Sequence, residues 1–254
     1  MMENNYHHSI YTISGNEALT SSVYRMVLEG DTSFITAPGQ FVNIRLEGRF
    51  LRRPISVCDW SADSITLIYK MVGEGTRQMA AMKAGEKLDL LTGLGNGFDT
   101  KIAGMHRPLL IGGGVGVPPM YGLAKKLLSE GIRPVMVMGF NTVSEVFYPD
   151  EFRSLGIDVH VTTADGSSGI KGFVTDAVKQ ENIDYDYFYC CGPEPMLRAL
   201  YSATRTEGQF SFEERMGCGF GACMGCSCKT ISGYKRICKD GPVMRKNEII
   251  FPEK

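Results

Sequence analysis

Hydrophobic and polar positions along the chain change rhythm twice. From residue 9 to about residue 102 the apolar residues fall in short β-type runs (23–28, 40–46, 64–69 and 87–91), separated by turn residues such as Asp31, Pro38-Gly39 and Asp59. Short strands punctuated in this way predict an antiparallel β-barrel. From Arg107 onward, apolar strands at 108–111, 134–140, 159–163 and 185–191 are interspersed with helical stretches at 118–128 and 194–206. That alternation predicts an open α/β domain with a parallel sheet. From about Glu207 glycine and cysteine dominate. So little apolar material remains there that the tail is expected to need a metal to fold. The expected organisation is multidomain, with units at 1–102, 103–207 and 208–254 and no internal repeat.

Composition narrows the function. Of 254 residues, 43% are apolar, enough for two ordinary cores. Lys plus Arg (27) and Asp plus Glu (28) nearly cancel, leaving no basic field to gather nucleic acid or anionic lipid. The most apolar stretch, 108–124, is broken by glycines and prolines, and Met1 to His8 is polar, without an apolar signal core. A soluble, unexported, cytoplasmic protein is expected. His7-His8 and the charged end (Arg245, Lys246, Glu248, Glu253, Lys254) read as solvated surface.

Five of the eight cysteines lie between Cys218 and Cys238, and the others are Cys58, Cys190 and Cys191. A disulfide framework spreads its cysteines more widely, so this knot points to a metal site. Cys218, Cys223 and Cys226 are spaced C-x4-C-x2-C, and Cys238 follows after eleven further residues. That is the plant-type ferredoxin spacing for a 2Fe-2S cluster. Gly217, Gly219, Gly221 and Gly225 let the loop wrap closely, so that backbone N–H groups can reach the sulfurs. The alternative, a structural zinc, usually presents two facing C-x2-C pairs, whereas one is present here. Cys228 reads as a buried or spare thiol.

Two further constellations suit nucleotides. Arg53-Pro54-Ile55-Ser56 follows the strand at 40–46, where Arg53 can grip a pyrophosphate and Ser56 can meet a flavin ring nitrogen. Gly73-Glu74-Gly75-Thr76 precedes a helical stretch at 77–83, so Thr76 is expected to cap a helix whose free N–H groups suit a phosphate. Singly these motifs read as a surface Arg pair and an ordinary cap; together they point to a flavin. The strand at 108–111 runs into Gly112-Gly113-Gly114-Val115-Gly116 and a helix opened by Pro118-Pro119. This brings backbone close to a dinucleotide pyrophosphate, although the third glycine of the usual fingerprint falls at Val117. A tight ligand-free turn is the alternative. Cys191-Gly192-Pro193 ends the last strand on the carboxyl edge, so Cys191 either faces a nicotinamide or packs as a small buried apolar residue. No Arg occurs in Gly139-Phe140-Asn141-Thr142 to meet a 2′-phosphate, which favours NADH over NADPH.

With Pro38-Gly39-Gln40-Phe41-Val42, Cys191-Gly192-Pro193-Glu194-Pro195-Met196 and Glu214-Arg215-Met216-Gly217-Cys218-Gly219, these segments make nearly the whole chain resemble the ferredoxin-NADP reductase superfamily. Within it the chain is more similar to the electron-transfer subunits of class 1B dihydroorotate dehydrogenase. Ile55 stands where the wider superfamily carries an aromatic, as in those subunits, and Thr92-Gly93 departs from a common Gly-Pro. The resemblance implies FAD contacts at Arg53, Pro54, Ile55 and Ser56, at Ile68, Tyr69 and Lys70, and at Gly75 and Thr76. With it the NAD site falls at Gly113, Gly114, Gly116, Cys191, Gly192 and Pro193, and the cluster ligands are Cys218, Cys223, Cys226 and Cys238. It further implies a partner, an FMN-containing catalytic subunit in a heterotetramer of two copies of each chain, with electrons relayed from NADH through FAD and the cluster. No residue here is expected to act as acid, base or nucleophile. Rival readings are the small subunit of a related NAD(P)H-ferredoxin or sulfide-linked reductase, in which an Asp often replaces one cysteine, and a zinc-stabilised nucleotide-binding adaptor.

Overall fold

The computed structural model describes residues 6–251, so the expected solvated end at Glu253 and Lys254 lies outside the described residues. The first unit is built from β1 (His7–Ala18), β2 (Val23–Glu29), β3 (Phe41–Arg45), β4 (Arg53–Trp60), β5 (Ser64–Lys70), a helix α1 (Glu74–Ala81) and β6 (Lys87–Leu94). The strands close into a barrel in the order β1-β2-β5-β4-β3-β6. Every pairing in it is antiparallel. Alternation drives the closure: Met26 and Leu28, Ile65, Leu67 and Tyr69, and Leu88 and Leu90 all turn inward onto one core. Two strands were not legible as such. In β1 a bulge between Ile13 and Gly15 interrupts the alternation, and Arg53 to Ser56 of β4 are uniformly half-buried.

The second unit comprises β7 (Pro108–Gly113), α2 (Val117–Ser129), β8 (Val135–Phe140), α3 (Pro149–Ser154), β9 (Asp158–Thr163), β10 (Ile170–Lys171), α4 (Val174–Gln180), β11 (Tyr187–Cys191), α5 (Glu194–Ala203) and β12 (Gly208–Ser211). Beyond it lie the hairpin β13 (Ser227–Thr230) and β14 (Gly233–Arg236), α6 (Ile237–Asp240) and β15 (Val243–Arg245). The sheet runs β10-β9-β8-β7-β11-β12-β15. It is parallel except for the last pair, β12 with β15. Strands buried on both faces explain the continuous apolar runs in the sequence. Leu110, Met136, Met138 and Tyr189 face α2 and the barrel. Leu109, Ile111, Val137 and Phe188 face α4, α5 and the cysteine-rich tail.

Barrel and sheet meet along β4 and α2. A Cβ at Gly122 would lie 2.8 Å from the Cys58 carbonyl oxygen, so the helix rests on the strand backbone. Lys125 Nζ is 2.7 Å from the Asp59 carboxylate across the same seam. The expected architecture of antiparallel barrel, parallel α/β sheet and small C-terminal cysteine domain is the one observed. Local departures have local causes. The helix expected at 77–83 begins instead at Glu74, after Gly73, so Thr76 lies within the first turn and is not its cap. The Thr76 hydroxyl reaches back, accepting from the N–H of Val72 (2.9 Å) and of Gly73 (3.2 Å), which closes the turn from inside the helix. His7 and His8 are solvent-accessible as expected, and each also has a partner: His7 stacks on Phe34 at 4.6 Å and His8 pairs with Asp89 at 2.9 Å. Among the described residues no helix is long and apolar enough to cross a membrane.

Candidate functional site

A cavity of about 590 Å³ opens where the barrel meets the carboxyl ends of β7, β8 and β11. Its floor is glycine. Gly113 ends β7, Gly114 follows it in the left-handed region at φ +51°, and Gly192 follows β11. Gly116 has an ordinary helical φ of −82°. What it lacks is room: a Cβ there would collide with the Cys191 carbonyl and lie 2.7 Å from the Gly192 Cα. The two glycine turns therefore interlock, leaving the backbone at Gly113, Gly114 and Gly116, ahead of Pro118 and Pro119, bare of side chains where a pyrophosphate could approach its N–H groups. Pro193 and Met196, at the start of α5, close one side.

Cys191 is fully buried beneath this floor, and burial pushes its thiol well above the ordinary range. Gly192 and Pro193 line the cavity, while the Cys191 side chain packs into the core facing α2. Lys70, at the end of β5, reaches the cavity from the barrel and sits 3.3 Å from Glu145. Burial acts against the Glu145 carboxylate, yet hydrogen bonds from Asn141 and the Lys70 charge hold it below its usual range. Glu213, just after β12, opens onto the same space, and enclosure by the surrounding protein pushes its carboxyl up. Sequence reasoning missed Glu145 and Glu213: one follows a strand by five residues, and the other follows a strand that the cysteine-rich texture concealed.

The proposed flavin residues divide by side-chain orientation. Arg53 on β4 and Gly75 in α1 are adjacent: a Cβ at Gly75 would strike the Arg53 guanidinium, 2.7 Å from Cζ. Arg53, Pro54, Ile55 and Ser56 are all half-buried along the same strand. Ile68 and Tyr69 turn into cores, and the Tyr69 hydroxyl donates to Asn16 Oδ1 at 3.1 Å. A flavin would thus meet Lys70 by its side chain and Ile68 and Tyr69 by their backbone. An Arg beside a bare helix turn suits a pyrophosphate.

The four ligand candidates stand in two pairs. The Cys218 N–H points at Cys223 Sγ (3.5 Å), and the Cys238 N–H at Cys226 Sγ (3.4 Å). The Ala222 N–H points at Cys218 Sγ (3.2 Å). Against the opposing effect of burial, N–H groups of Phe220, Cys223 and Ala222 bring the Cys218 thiol down to about 6. Burial and the neighbouring Cys226 push Cys238 up to about 12. Left-handed backbone at Gly219, Gly221 and Met224 winds the loop around them. Among the described residues no three His, Cys, Asp or Glu side chains gather as a single ion requires. Two thiol pairs fit a two-iron group, with N–H donors already directed at sulfur. Cys228 lies on β13, paired with Lys235 in the hairpin register.

Comparison with known proteins agrees with this construction. Residues 213–250 match the iron-sulfur cluster binding domain of dihydroorotate dehydrogenase B, and residues 110–202 match the oxidoreductase NAD-binding domain. The chain is 44% identical to the dihydroorotate dehydrogenase B (NAD(+)) electron transfer subunit of Fusobacterium nucleatum, over 94% of this chain and 96% of that one. It is 42% identical to the same subunit of Bacillus velezensis, over 94% and 97%. Among solved structures it is similar to an NADH-dependent reduced ferredoxin-NADP oxidoreductase, with TM-score 0.86, 29% identity and coverage of 94% of this chain and 89% of that one. The FAD/NAD-binding domain of a Vibrio cholerae nitric oxide dioxygenase shares the fold at TM-score 0.63 and 19% identity, over 76% and 91%. The chain belongs to the family of dihydroorotate dehydrogenase B electron transfer subunits.

Proposed function

We propose that this chain relays electrons between NAD(H) and the FMN of a separate dihydroorotate-oxidising subunit, in the cytoplasm, within a heterotetramer of two copies of each chain. The paired thiols of the cysteine loop, in a chain that also holds a barrel-and-sheet cleft, carry this reading. When bound, FAD exchanges a hydride with the nicotinamide and hands single electrons to the 2Fe-2S cluster. The chain's own residues hold and orient. Arg53, with Gly75 and Thr76 beside it, takes the flavin pyrophosphate; Pro54, Ile55, Ser56 and the edge at Ile68, Tyr69 and Lys70 flank the ring. Gly113, Gly114 and Gly116 admit the nicotinamide dinucleotide, with Gly192 and Pro193 at its reactive end and Cys191 supporting them from beneath. Cys218, Cys223, Cys226 and Cys238 hold the cluster. The working units are 1–102 for FAD, 103–207 for NAD and 208–254 for the cluster, the last lending β12 and β15 to the edge of the NAD sheet.

Glu145, five residues beyond β8, accepts from the Asn141 side-chain amide at 2.8 Å and sets a carboxylate in the place where a 2′-phosphate would need a cation. That arrangement supports NADH as the nucleotide. The test is copurification. Tagged chain isolated anaerobically should bring down an FMN protein that oxidises dihydroorotate, and should show flavin bands together with iron and acid-labile sulfide. Colourless protein containing zinc would refute the proposal.

A further inference from the structure

We propose that Asn43 is a positioning residue that ties the flavin barrel to the cluster loop and sets the geometry through which electrons pass between them. The inference rests on the 2Fe-2S reading above. Asn43 lies on β3, 1% exposed, and faces Pro54 in the β3–β4 register, beside Arg53 and Ile55. Its Nδ2 donates to the Cys218 carbonyl at 3.2 Å, a bond that joins residues 175 apart in sequence. The opposite amide orientation would set two acceptors face to face, so the donor assignment follows from chemistry. Arg52 Nη1 donates to the Asn43 carbonyl at 3.1 Å and is 2.7 Å from Asp89, so the strand is braced where the amide leaves it.

On the loop side Gly219 fits against this amide. It sits at φ +79°, and a Cβ there would collide with Nδ2 and lie 3.1 Å from the Asn43 Cγ. The Asn43 Oδ1 atom is buried and has no hydrogen-bond partner among the described residues. A buried amide with an unpaired oxygen is worse for stability than an apolar side chain of the same shape. What the amide supplies is direction. One bond fixes the first cysteine of the motif relative to the strand that carries the flavin grip, and it polarises the peptide next to that sulfur. Cys226 and Cys238 are buried in the apolar cluster that includes Phe41, Leu91 and Leu94, while Cys218 only packs against its edge, partly buried. Contacts of that kind set distance loosely and orientation hardly at all.

The test uses the full chain carrying FAD and cluster. Asn43→Asp keeps the shape and replaces the donor with an acceptor. Three readouts are compared with wild type: iron and acid-labile sulfide, the electron paramagnetic resonance spectrum of the reduced cluster, and stopped-flow reduction of flavin and of cluster by NADH. The expected result is full iron, unchanged flavin reduction, shifted resonance positions, and cluster reduction slowed about tenfold. A folded, iron-replete Asn43→Asp protein with the wild-type spectrum and wild-type cluster reduction would overturn the inference. If that variant loses iron, Gly219→Ala, which presses on the same amide from the loop, is read in its place: the same shift and slowing support the inference, and wild-type behaviour overturns it. If wild-type protein itself holds no iron or sulfide, the cluster reading fails first and takes this inference with it.

Discussion

Gly114 and Gly116 stand two residues apart in one turn and are glycine for different reasons, which a pair of alanine substitutions separates. At Gly116 the backbone is helical and would accept any residue, but a Cβ collides with the Cys191 carbonyl, which is backbone and cannot turn aside. Relief requires the β7–α2 and β11–α5 turns to move apart. Overpacking of this kind costs about 1–3 kcal/mol, and at about 2–4 °C per kcal/mol the melting temperature should fall by about 2–12 °C. The same displacement distorts the cavity floor, so KM for NADH should rise about tenfold, equivalent to about 1.4 kcal/mol. At Gly114 nothing lies within 4 Å of an added Cβ, and only the left-handed φ of +51° is opposed, at about 1–2 kcal/mol. Gly15→Ala, with open space and no positive φ, is the control, expected within about 0.5 kcal/mol of wild type. Thermal unfolding and NADH-to-dye kinetics on the three variants decide it. A Gly116→Ala protein with wild-type melting and KM would refute the interlocked turns.

Gly75→Ala should weaken FAD without weakening the fold: the added methyl meets the mobile Arg53 guanidinium, not backbone, and losing that charged grip raises the FAD dissociation constant about tenfold or more by fluorescence titration. Removing iron, by anaerobic chelation or by Cys223→Ser, should abolish the cluster absorbance and speed amide exchange across 216–241, while Gly208–Ser211 and Val243–Arg245 stay protected. Burial works against the Asp89 carboxylate, but hydrogen bonds from Arg52 and His8 hold it below its ordinary 3.8. Its contribution is therefore present above about pH 4 and disappears as pH falls through the lower folded value. Asp89→Asn should cost about 1 kcal/mol at pH 7 and flatten the acid limb of a plot of melting temperature against pH; an unaltered limb would count against the pairing.

How much was legible depends on whether the information lay in neighbours along the chain or across it. The cysteine spacing and the strand-glycine-helix passage at 108–118 are local patterns, so the cluster loop and the dinucleotide floor could be read directly. The sheet strands showed as apolar runs because both faces are covered. Strand β4 did not show, because Arg53 to Ser56 are uniformly half-buried, and half-burial has no period. Lys70 against Glu145, and Asn43 against Cys218, join residues 75 and 175 positions apart. Nothing in either local sequence announces such a partner. Cys191 was assigned by its place at a strand end, and that place is as read, but only the fold could show the thiol sealed beneath the floor.

The tail was expected to depend on metal because it lacks apolar residues, and the topology shows where that reasoning stops. Strands β12 and β15 pair with each other at the edge of the large sheet, with Phe210 opposite Met244. The Phe212 N–H donates to the Pro242 carbonyl at 2.9 Å, and Asn96 of the barrel side brackets Val243 with bonds of 2.8 and 3.1 Å. The two ends of the cysteine loop are thus clamped by sheet and barrel, and the loop's entropy is that of a closed segment rather than a free tail. The role expected of a metal narrows to holding the cysteine turns between the clamps, and the freedom that bears on electron transfer is their orientation relative to the flavin strand. The buried amide of Asn43 acts on that freedom, because it reaches the loop between the clamps, at the first of the four cysteines, two residues before Phe220, which rests on Tyr6.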